Sequence, residues 1–123
     1  MTNKRRTLLD ILLKKQNPMN ATQVFQLLGE QMDLTTVYRG LEYLEKEQYL
    51  QSFVFECHDR GIERYFYASK KVHEYFLHCE ECHRFVSAGD CPVDHSLSKI
   101  EQDTGFSIHD HQLILKGICR DCQ

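Results

Sequence analysis

The chain has 123 residues and a formal net charge of −3, with 41% hydrophobic and 27% charged residues. This composition is typical of one or two small globular domains, and it excludes disordered and collagen-like chains. Apolar runs stay well short of the roughly 18–20 residues that a membrane-spanning helix needs. The N-terminus is polar and basic, and Asp10 interrupts the first apolar stretch. A cytosolic protein without a secretory signal is therefore expected.

Cysteine and histidine, the soft metal-ligand types, are confined to the second part of the sequence. All 6 Cys and all 7 His follow residue 56. Residues 1–50 hold 7 basic and 6 acidic residues, whereas residues 51–123 hold 8 basic and 12 acidic ones. The two parts are therefore predicted to have different roles.

Three short helices joined by tight turns are predicted in the first part, as in a helix-turn-helix module. Pro18 ends the first helix, and Asn20 with Gln23 resembles a capping box that begins the second. An N-cap within Asp33–Thr36 begins the third. The expected helices are about Lys4–Gln16, Ala21–Gly29 and Thr36–Glu47.

The third helix is predicted to bury Val37, Leu41 and Leu44 on one stripe. Gly40 costs roughly 1 kcal/mol in a helix interior, which indicates a close approach by another group. The opposite face carries hydroxyl, guanidinium and phenol groups that can contact phosphates and base edges. An ordinary solvated face is the alternative. The outward residues are Thr35, Thr36, Arg39 and Tyr43, with Tyr38 on the flank.

A β-hairpin is expected next, with strands in Ser52–Cys57 and Ile62–Tyr67. A hairpin directly after three helices makes a winged helix, with Arg60 near the tip and Arg64 on the return strand, both able to reach phosphate. The polar stretch Ala68–Val72 is the candidate hinge. Beyond it we expect strands at His73–Cys79 and Arg84–Ala88, a helix from Pro92 to Gly105, and a long strand at Phe106–Ile118.

Two Cys-x-x-Cys pairs, separated by 36 residues, predict a structural zinc site. Each such turn aims two thiolates at one point, and two turns complete the closed tetrahedral shell that zinc prefers. Disulfides are disfavoured without a secretion signal, and a thioredoxin-type pair lacks its βαβ context. A zinc switch that releases metal on oxidation stays open. The four ligands are Cys79, Cys82, Cys119 and Cys122.

A second metal site is predicted from the histidines. If the strands that contain His73 and His111 share one sheet, their side chains converge, with Asp94 and His95 within reach. An imidazole pair with a carboxylate suits Zn, Fe, Mn, Co or Ni.

The sequence resembles the ferric uptake regulator family of metal-dependent bacterial repressors. The resemblance rests on Thr36-Val-Tyr-Arg39 with Leu41, on Cys79-x-x-Cys82, and on Gly117-x-Cys-x-x-Cys122. It implies a homodimer that binds operator DNA when loaded with a regulatory metal. It also implies that the four cysteines above hold structural zinc, that Tyr38 and Arg39 meet DNA, and that His73, Asp94 and His111 hold metal.

The sequence departs from the family pattern at the usual sensor site. Glu74 and Phe76 stand where two histidines are expected, and the place of an N-terminal-domain histidine falls near Pro18. The sensor is therefore either lost or rebuilt from other groups. The regulatory metal is expected to be Zn²⁺, Fe²⁺ or Mn²⁺, and sulfur among the candidate ligands favours Zn²⁺ over Fe²⁺. The spare candidates are Cys57, His58, Glu74, Cys91 and His95.

These observations predict an α+β protein, with a winged-helix DNA-binding domain at 1–67, a hinge at 68–72 and a small zinc-containing dimerisation domain at 73–123. The expected function is a metal-responsive repressor of metal homeostasis that is not an enzyme. A peroxide sensor of the same family and a zinc-stabilised protein-interaction module without DNA binding are the alternatives. The expected DNA contacts are Arg6, Lys14, Lys15, Thr36, Tyr38, Arg39, Tyr43 and Arg60, supplemented by Lys4 and Arg5.

Overall fold

The computed structural model describes residues 1–29, 31–68 and 74–123 and divides into two compact units, residues 1–70 and 71–123. The first unit contains α1 (Asn3–Lys15), α2 (Ala21–Leu28), α3 (Leu34–Lys46), β1 (Gln51–Cys57) and β2 (Gly61–Tyr67). The second contains β3 (Phe76–Cys79), β4 (Phe85–Ser87), α4 (Leu97–Thr104) and β5 (Ile114–Gly117). The α+β class is thus confirmed. Most of the expected hinge, 68–72, lies outside the described residues.

The helices of the first unit begin and end where local hydrogen bonds dictate. Asn20 and Gln23 exchange reciprocal side-chain to backbone bonds of 2.8 and 2.9 Å, which confirms the capping box of α2. Asp33 caps α3 by accepting a 2.7 Å bond from the Thr36 N–H, so α3 begins at Leu34, two residues before the expected start. Hydrogen bonds from Thr36 also lower the pKa of the Asp33 carboxyl.

A continuous apolar core joins the three helices to the hairpin. Val37, Leu41 and Leu44 are fully buried, which confirms the predicted stripe of α3. Met19 and Phe66 exchange backbone hydrogen bonds of 2.9 and 2.8 Å, which attach the α1–α2 connection to β2. The core that fixes the exposed face of α3 also includes Leu8, Leu12, Ala21, Val24, Leu28, Met32 and Leu50.

Gly40 lies at the point where α1 crosses α3. A Cβ atom at this position would collide with Cδ1 of Leu8, and this contact accounts for the glycine within a helix. Overpacking by the new methyl group should cost about 1–3 kcal/mol. Alanine is the better helix former by about 1 kcal/mol, which offsets part of that cost. We therefore expect Gly40→Ala to lower the free energy of unfolding. Urea unfolding measures the change.

A double-mutant cycle supplies the control for this prediction. In a Leu8→Ala background the space is open, so Gly40→Ala should become neutral or stabilising. A Gly40→Ala protein that is more stable than the parent chain would show that the Leu8 side chain moves aside without cost, and would contradict this explanation of the glycine.

The second unit is a three-stranded sheet in the order β4-β3-β5. β4 runs antiparallel to β3, whereas β5 runs parallel to it. A parallel pair needs a crossover connection, and the chain between β4 and β5 provides it with a 3₁₀ turn (Asp94–Ser96) followed by α4. None of the described helices is long and apolar enough to cross a membrane.

Three expectations for this unit were wrong in extent. The last strand begins at Ile114 rather than Phe106, the first of the unit begins at Phe76 rather than His73, and the helix follows a 3₁₀ turn instead of starting at Pro92. Side chains bond to the backbone before β5: Glu101 accepts from the N–H of Ile108, and Asp110 accepts from the N–H of His111. Such local bonds compete with a strand ladder.

Candidate metal centres and nucleic-acid interface

Parallel pairing of β3 and β5 brings the two Cys-x-x-Cys pairs together. Cys79 is the last residue of β3, and its partner in register is Gly117, the last residue of β5. The carboxyl ends of parallel strands lie at the same edge of a sheet, so Cys119, two residues beyond β5, reaches the turn after β3. The N–H of Glu80 donates to the carbonyl of Gly117 over 2.8 Å and holds the two turns side by side.

The four sulfurs of Cys79, Cys82, Cys119 and Cys122 lie within 4.8 Å of one another. Cys82 Sγ is 3.8 Å from Cys119 Sγ, which is the separation that two thiolates have on a tetrahedral zinc with Zn–S bonds of about 2.3 Å. The described residues thus form a closed S₄ cluster of the kind that suits structural zinc.

Backbone donors prepare one of these sulfurs to bind a cation. The N–H groups of Cys119 and Cys82 point at Cys79 Sγ over 3.3 and 3.4 Å, and they lower the pKa of the Cys79 thiol to about 6. The Cys122 thiol hydrogen-bonds to Cys119, which raises the pKa of Cys122 to about 12. The cluster thus retains protons that a bound cation must displace.

Arg84 provides positive charge next to the cluster. Its guanidinium lies beside the sulfur of Cys119, which raises the Arg84 pKa, and it forms a 3.2 Å salt bridge with Asp121. Four thiolates around one Zn²⁺ leave a net charge of about −2. The Arg84 guanidinium partly offsets this negative charge.

A second cluster of ligand types lies in the same unit. Nε2 of His111 is 3.2 Å from Cys91 Sγ and 3.4 Å from Asp94 Oδ1, and the three ligand atoms lie within 4.8 Å of one another. His73, expected beside Asp94 and His111, is outside the described residues. The structure adds Cys91, which the sequence offered only as a spare candidate.

The other spare candidates are not members of this cluster. Glu74 accepts a 3.1 Å hydrogen bond from Ser87 Oγ, and the His95 side chain is exposed. Cys57 is buried at the end of β1, and His58 begins the hairpin turn. Both of these belong to the first compact unit.

Basic residues converge beside the exposed face of α3. Lys4 and Arg5 from the start of α1 line a cleft with Thr36 and Arg39 of α3. Tyr38, which precedes Arg39 on α3, is 42% exposed. Cationic groups beside hydroxyls at a helix surface can hold a backbone phosphate and present side chains to base edges. Of the expected contacts, Arg39 and Thr36 thus meet in one place.

The remaining expected DNA contacts lie elsewhere on the first unit. Tyr43 does not point freely outward: it packs against the core, and the Arg5 guanidinium lies 3.6 Å above its ring. Lys14 and Lys15 are in the last turn of α1, about 15 Å from Lys4 at 1.5 Å per residue. Arg6 is exposed on α1, and Arg60 is exposed in the hairpin turn.

His78 and the Arg5–Tyr43 contact were not anticipated. His78 is 3% exposed, and its ring lies 4.5 Å from that of Phe85. Its burial follows from strand alternation, since Phe76 and His78 share one side of β3 while Leu77 faces outward. The cation–π contact had no sequence signal because it joins two helices.

Comparisons with known proteins agree with this architecture. The family model described as "Ferric uptake regulator family" matches residues 1–116. A ferric uptake regulation protein of Neisseria gonorrhoeae is 28% identical over 127 residues, covering 100% of this chain and 85% of that protein.

Two solved structures share the fold. The ferric uptake regulator of Helicobacter pylori has a TM-score of 0.78 at 18% identity, with 99% of this chain and 81% of that chain covered. A zinc uptake regulator complexed with zinc and DNA has a TM-score of 0.68 at 18% identity, with 98% and 81% covered. Together with the family match over nearly the whole sequence, these findings establish that the chain belongs to the ferric uptake regulator family.

Proposed function

We propose that this chain is a metal-responsive transcriptional repressor that binds operator DNA as a homodimer. The observation that carries the proposal is the convergence of Lys4, Arg5 and Arg39 on the exposed side of α3, in a chain whose other unit gathers two clusters of metal ligands. The solved relative that holds both zinc and DNA supports the same reading.

The first unit supplies the DNA contacts. Exposed Tyr38 and Arg39 on α3 are suited to enter a major groove, while Lys4 and Arg5 hold the adjacent phosphate. Arg60 at the hairpin turn is placed as a wing contact. Because the whole chain carries a net charge of −3, affinity depends on these local cations, and general repulsion limits loose non-specific binding.

The two ligand clusters have different roles. The S₄ cluster is closed, and closed tetrahedral sites hold structural zinc because no position is left for water or exchange. The cluster at Asp94 and His111, with His73 added on the family pattern, takes the regulatory divalent cation. Cation binding there stabilises the dimer arrangement that fits two half-sites of an operator.

Homodimerisation is supported by apolar side chains that the second unit leaves exposed. Val86, Leu77 and Leu115 form one row across the three strands, since Leu77 faces both of the others in register. Each is 40–47% exposed, and Ile118 is 42% exposed. A second copy covering this row removes it from water. Analytical ultracentrifugation should find a dimer, and Leu115→Glu should weaken it.

Regulation requires only a modest coupling free energy. For metal to raise operator affinity about 100-fold, it must favour the DNA-binding state by about 2.7 kcal/mol. One or two ligand bonds that form in that state alone are sufficient.

Selection from a pool of random-sequence duplexes tests the proposal. The zinc-loaded protein is expected to enrich a two-fold symmetric motif, and removal of the labile metal by mild chelation should abolish the enrichment while one zinc per chain remains. An identical motif with and without labile metal would refute metal control. Absence of any motif beyond the background would favour a protein-interaction module.

A further inference from the structure

We propose that Cys91 is a thiolate ligand of the second metal site and makes that site selective for zinc-like cations over Mn²⁺ and Fe²⁺. The inference rests on the proposed function, because it takes the cluster at Asp94 and His111 as the regulatory site. It assigns a sulfur ligand where the resemblance implied only histidine and carboxylate.

The distances fit a shared cation. Zinc bonds of about 2.0–2.3 Å to N, O and S place neighbouring ligand atoms of a tetrahedron about 3.4–3.6 Å apart. In the structure His111 Nε2 is 3.4 Å from Asp94 Oδ1 and 3.2 Å from Cys91 Sγ. Small side-chain adjustments therefore suffice to hold an ion between the three.

The local backbone repeats the geometry of the S₄ cluster. Cys91-Pro-Val-Asp94 has the same spacing as the two Cys-x-x-Cys pairs. The N–H of Asp94 donates to the carbonyl of Cys91 over 3.4 Å, as the N–H of Cys122 donates to that of Cys119 over 3.1 Å. A turn of this kind aims the first and fourth side chains at one point. Pro92, the second residue of the turn, has its φ angle fixed by the proline ring.

Burial also favours a cation at this place. Cys91 is 4% exposed, and the buried Oδ1 of Asp94 lies 3.4 Å from His111 Nε2, its ion-pair partner. Once Cys91 is ionised, a carboxylate and a thiolate share this one imidazole, and a bound cation offsets their negative charge. Cys91 loses its thiol proton to solvent when the cation binds, so the S⁻ is the ligand.

A sulfur ligand changes which cation the site prefers. Soft thiolates favour Zn²⁺ and Co²⁺, whereas Mn²⁺ and Fe²⁺ suit sites of oxygen and nitrogen ligands. Solved relatives hold either kind of cation: one is a zinc uptake regulator complexed with zinc and DNA, and another is a ferric uptake regulator from Pseudomonas aeruginosa with manganese. Cys91 thus places this chain with the zinc-responsive members.

Cobalt spectroscopy of the full chain, loaded with one zinc per chain, tests the assignment. We expect one added equivalent of Co²⁺ to bind as the second metal and to produce a sulfur-to-cobalt charge-transfer band. Elemental analysis should show that the zinc is retained. Cys91→Ser should abolish the band and weaken zinc binding at this site by at least about tenfold, since even outer-shell losses cost 10–100-fold. Ser98→Ala, an exposed substitution on α4 of the same unit, is the control and should keep the band.

A second variant at the same position makes the test independent of the effects of serine at a buried site. Cys91→Asp retains a ligand without sulfur, so it should bind Co²⁺ without the band and shift the ratio of zinc to manganese affinity toward manganese. Circular dichroism verifies that each variant is folded.

The outcomes separate this inference from the proposed function. Two results would overturn the role of Cys91: Co²⁺ that binds to the parent chain without a sulfur band, or a band that persists in Cys91→Ser. Either result leaves the proposal of metal-controlled DNA binding intact. Failure of the parent chain to bind any second metal removes the regulatory site itself, and with it both proposals.

Discussion

Removal of zinc from the S₄ cluster is expected to unfold the second unit and leave the first unit folded. Apparent binding free energies of about 10–16 kcal/mol for structural zinc exceed or equal the whole stability of a typical small domain. Few of the described residues of this unit are buried: these are Phe76, His78, Cys79, Phe85 and Cys91, and α4 has no buried residue. Small cores of this kind depend on a metal or a covalent link.

Hydrogen–deuterium exchange with mass spectrometry measures this result. After treatment with a strong chelator, amides of β3, β4 and β5 should lose protection, while α1, α2 and α3 keep theirs because their core is separate. Cys122→Ser should behave like the chelated protein, and Ser98→Ala, an exposed substitution on α4, should behave like the parent chain. Protection of the β-sheet that survives complete zinc loss would show that the cluster is not structural.

Loss of the guanidinium of Arg39 is expected to weaken specific operator binding strongly. Arg39 is exposed on α3 and lines the basic cleft with Lys4 and Arg5. A base-reading arginine contributes about 1–3 kcal/mol, and loss of a phosphate contact in the same cleft adds to that. Arg39→Ala should therefore weaken binding roughly 10- to 100-fold or more, with zinc content unchanged.

Fluorescence anisotropy on the selected duplex measures the effect, and Lys99→Ala is the charge-matched control. Lys99 is exposed on α4 in the other unit, so it tests the loss of one positive charge alone and should change affinity little. Equal affinities for Arg39→Ala and the parent chain at several salt concentrations would remove α3 from its role.

Local chemistry explains which parts of the fold the sequence could predict. The capping box of Asn20 and Gln23, and the buried stripe of α3, depend on residues within one or two turns, so the pattern alone predicted them. The sequence predicted a close approach at Gly40 but could not identify Leu8 as the neighbour, because Leu8 lies on another helix.

Long-range pairing explains what the sequence could not predict. Nothing in the run Phe106–Ile118 reveals that Glu101 bonds to the backbone at Ile108, or that β5 begins only at Ile114, opposite the first residue of β3. The alternation argument that placed His111 beside a second metal therefore used a strand that does not extend so far. His111 still lies next to Asp94, but Cys91 joined them only once the crossover between β4 and β5 was seen.

The most direct test combines elemental analysis of the purified protein with DNA affinity in each metal state. One zinc per chain should survive mild chelation, a second metal should leave, and affinity for the selected duplex should fall about 100-fold and return when metal is restored. Affinity that stays constant as the second metal is removed and restored would contradict control of DNA binding by a labile metal site.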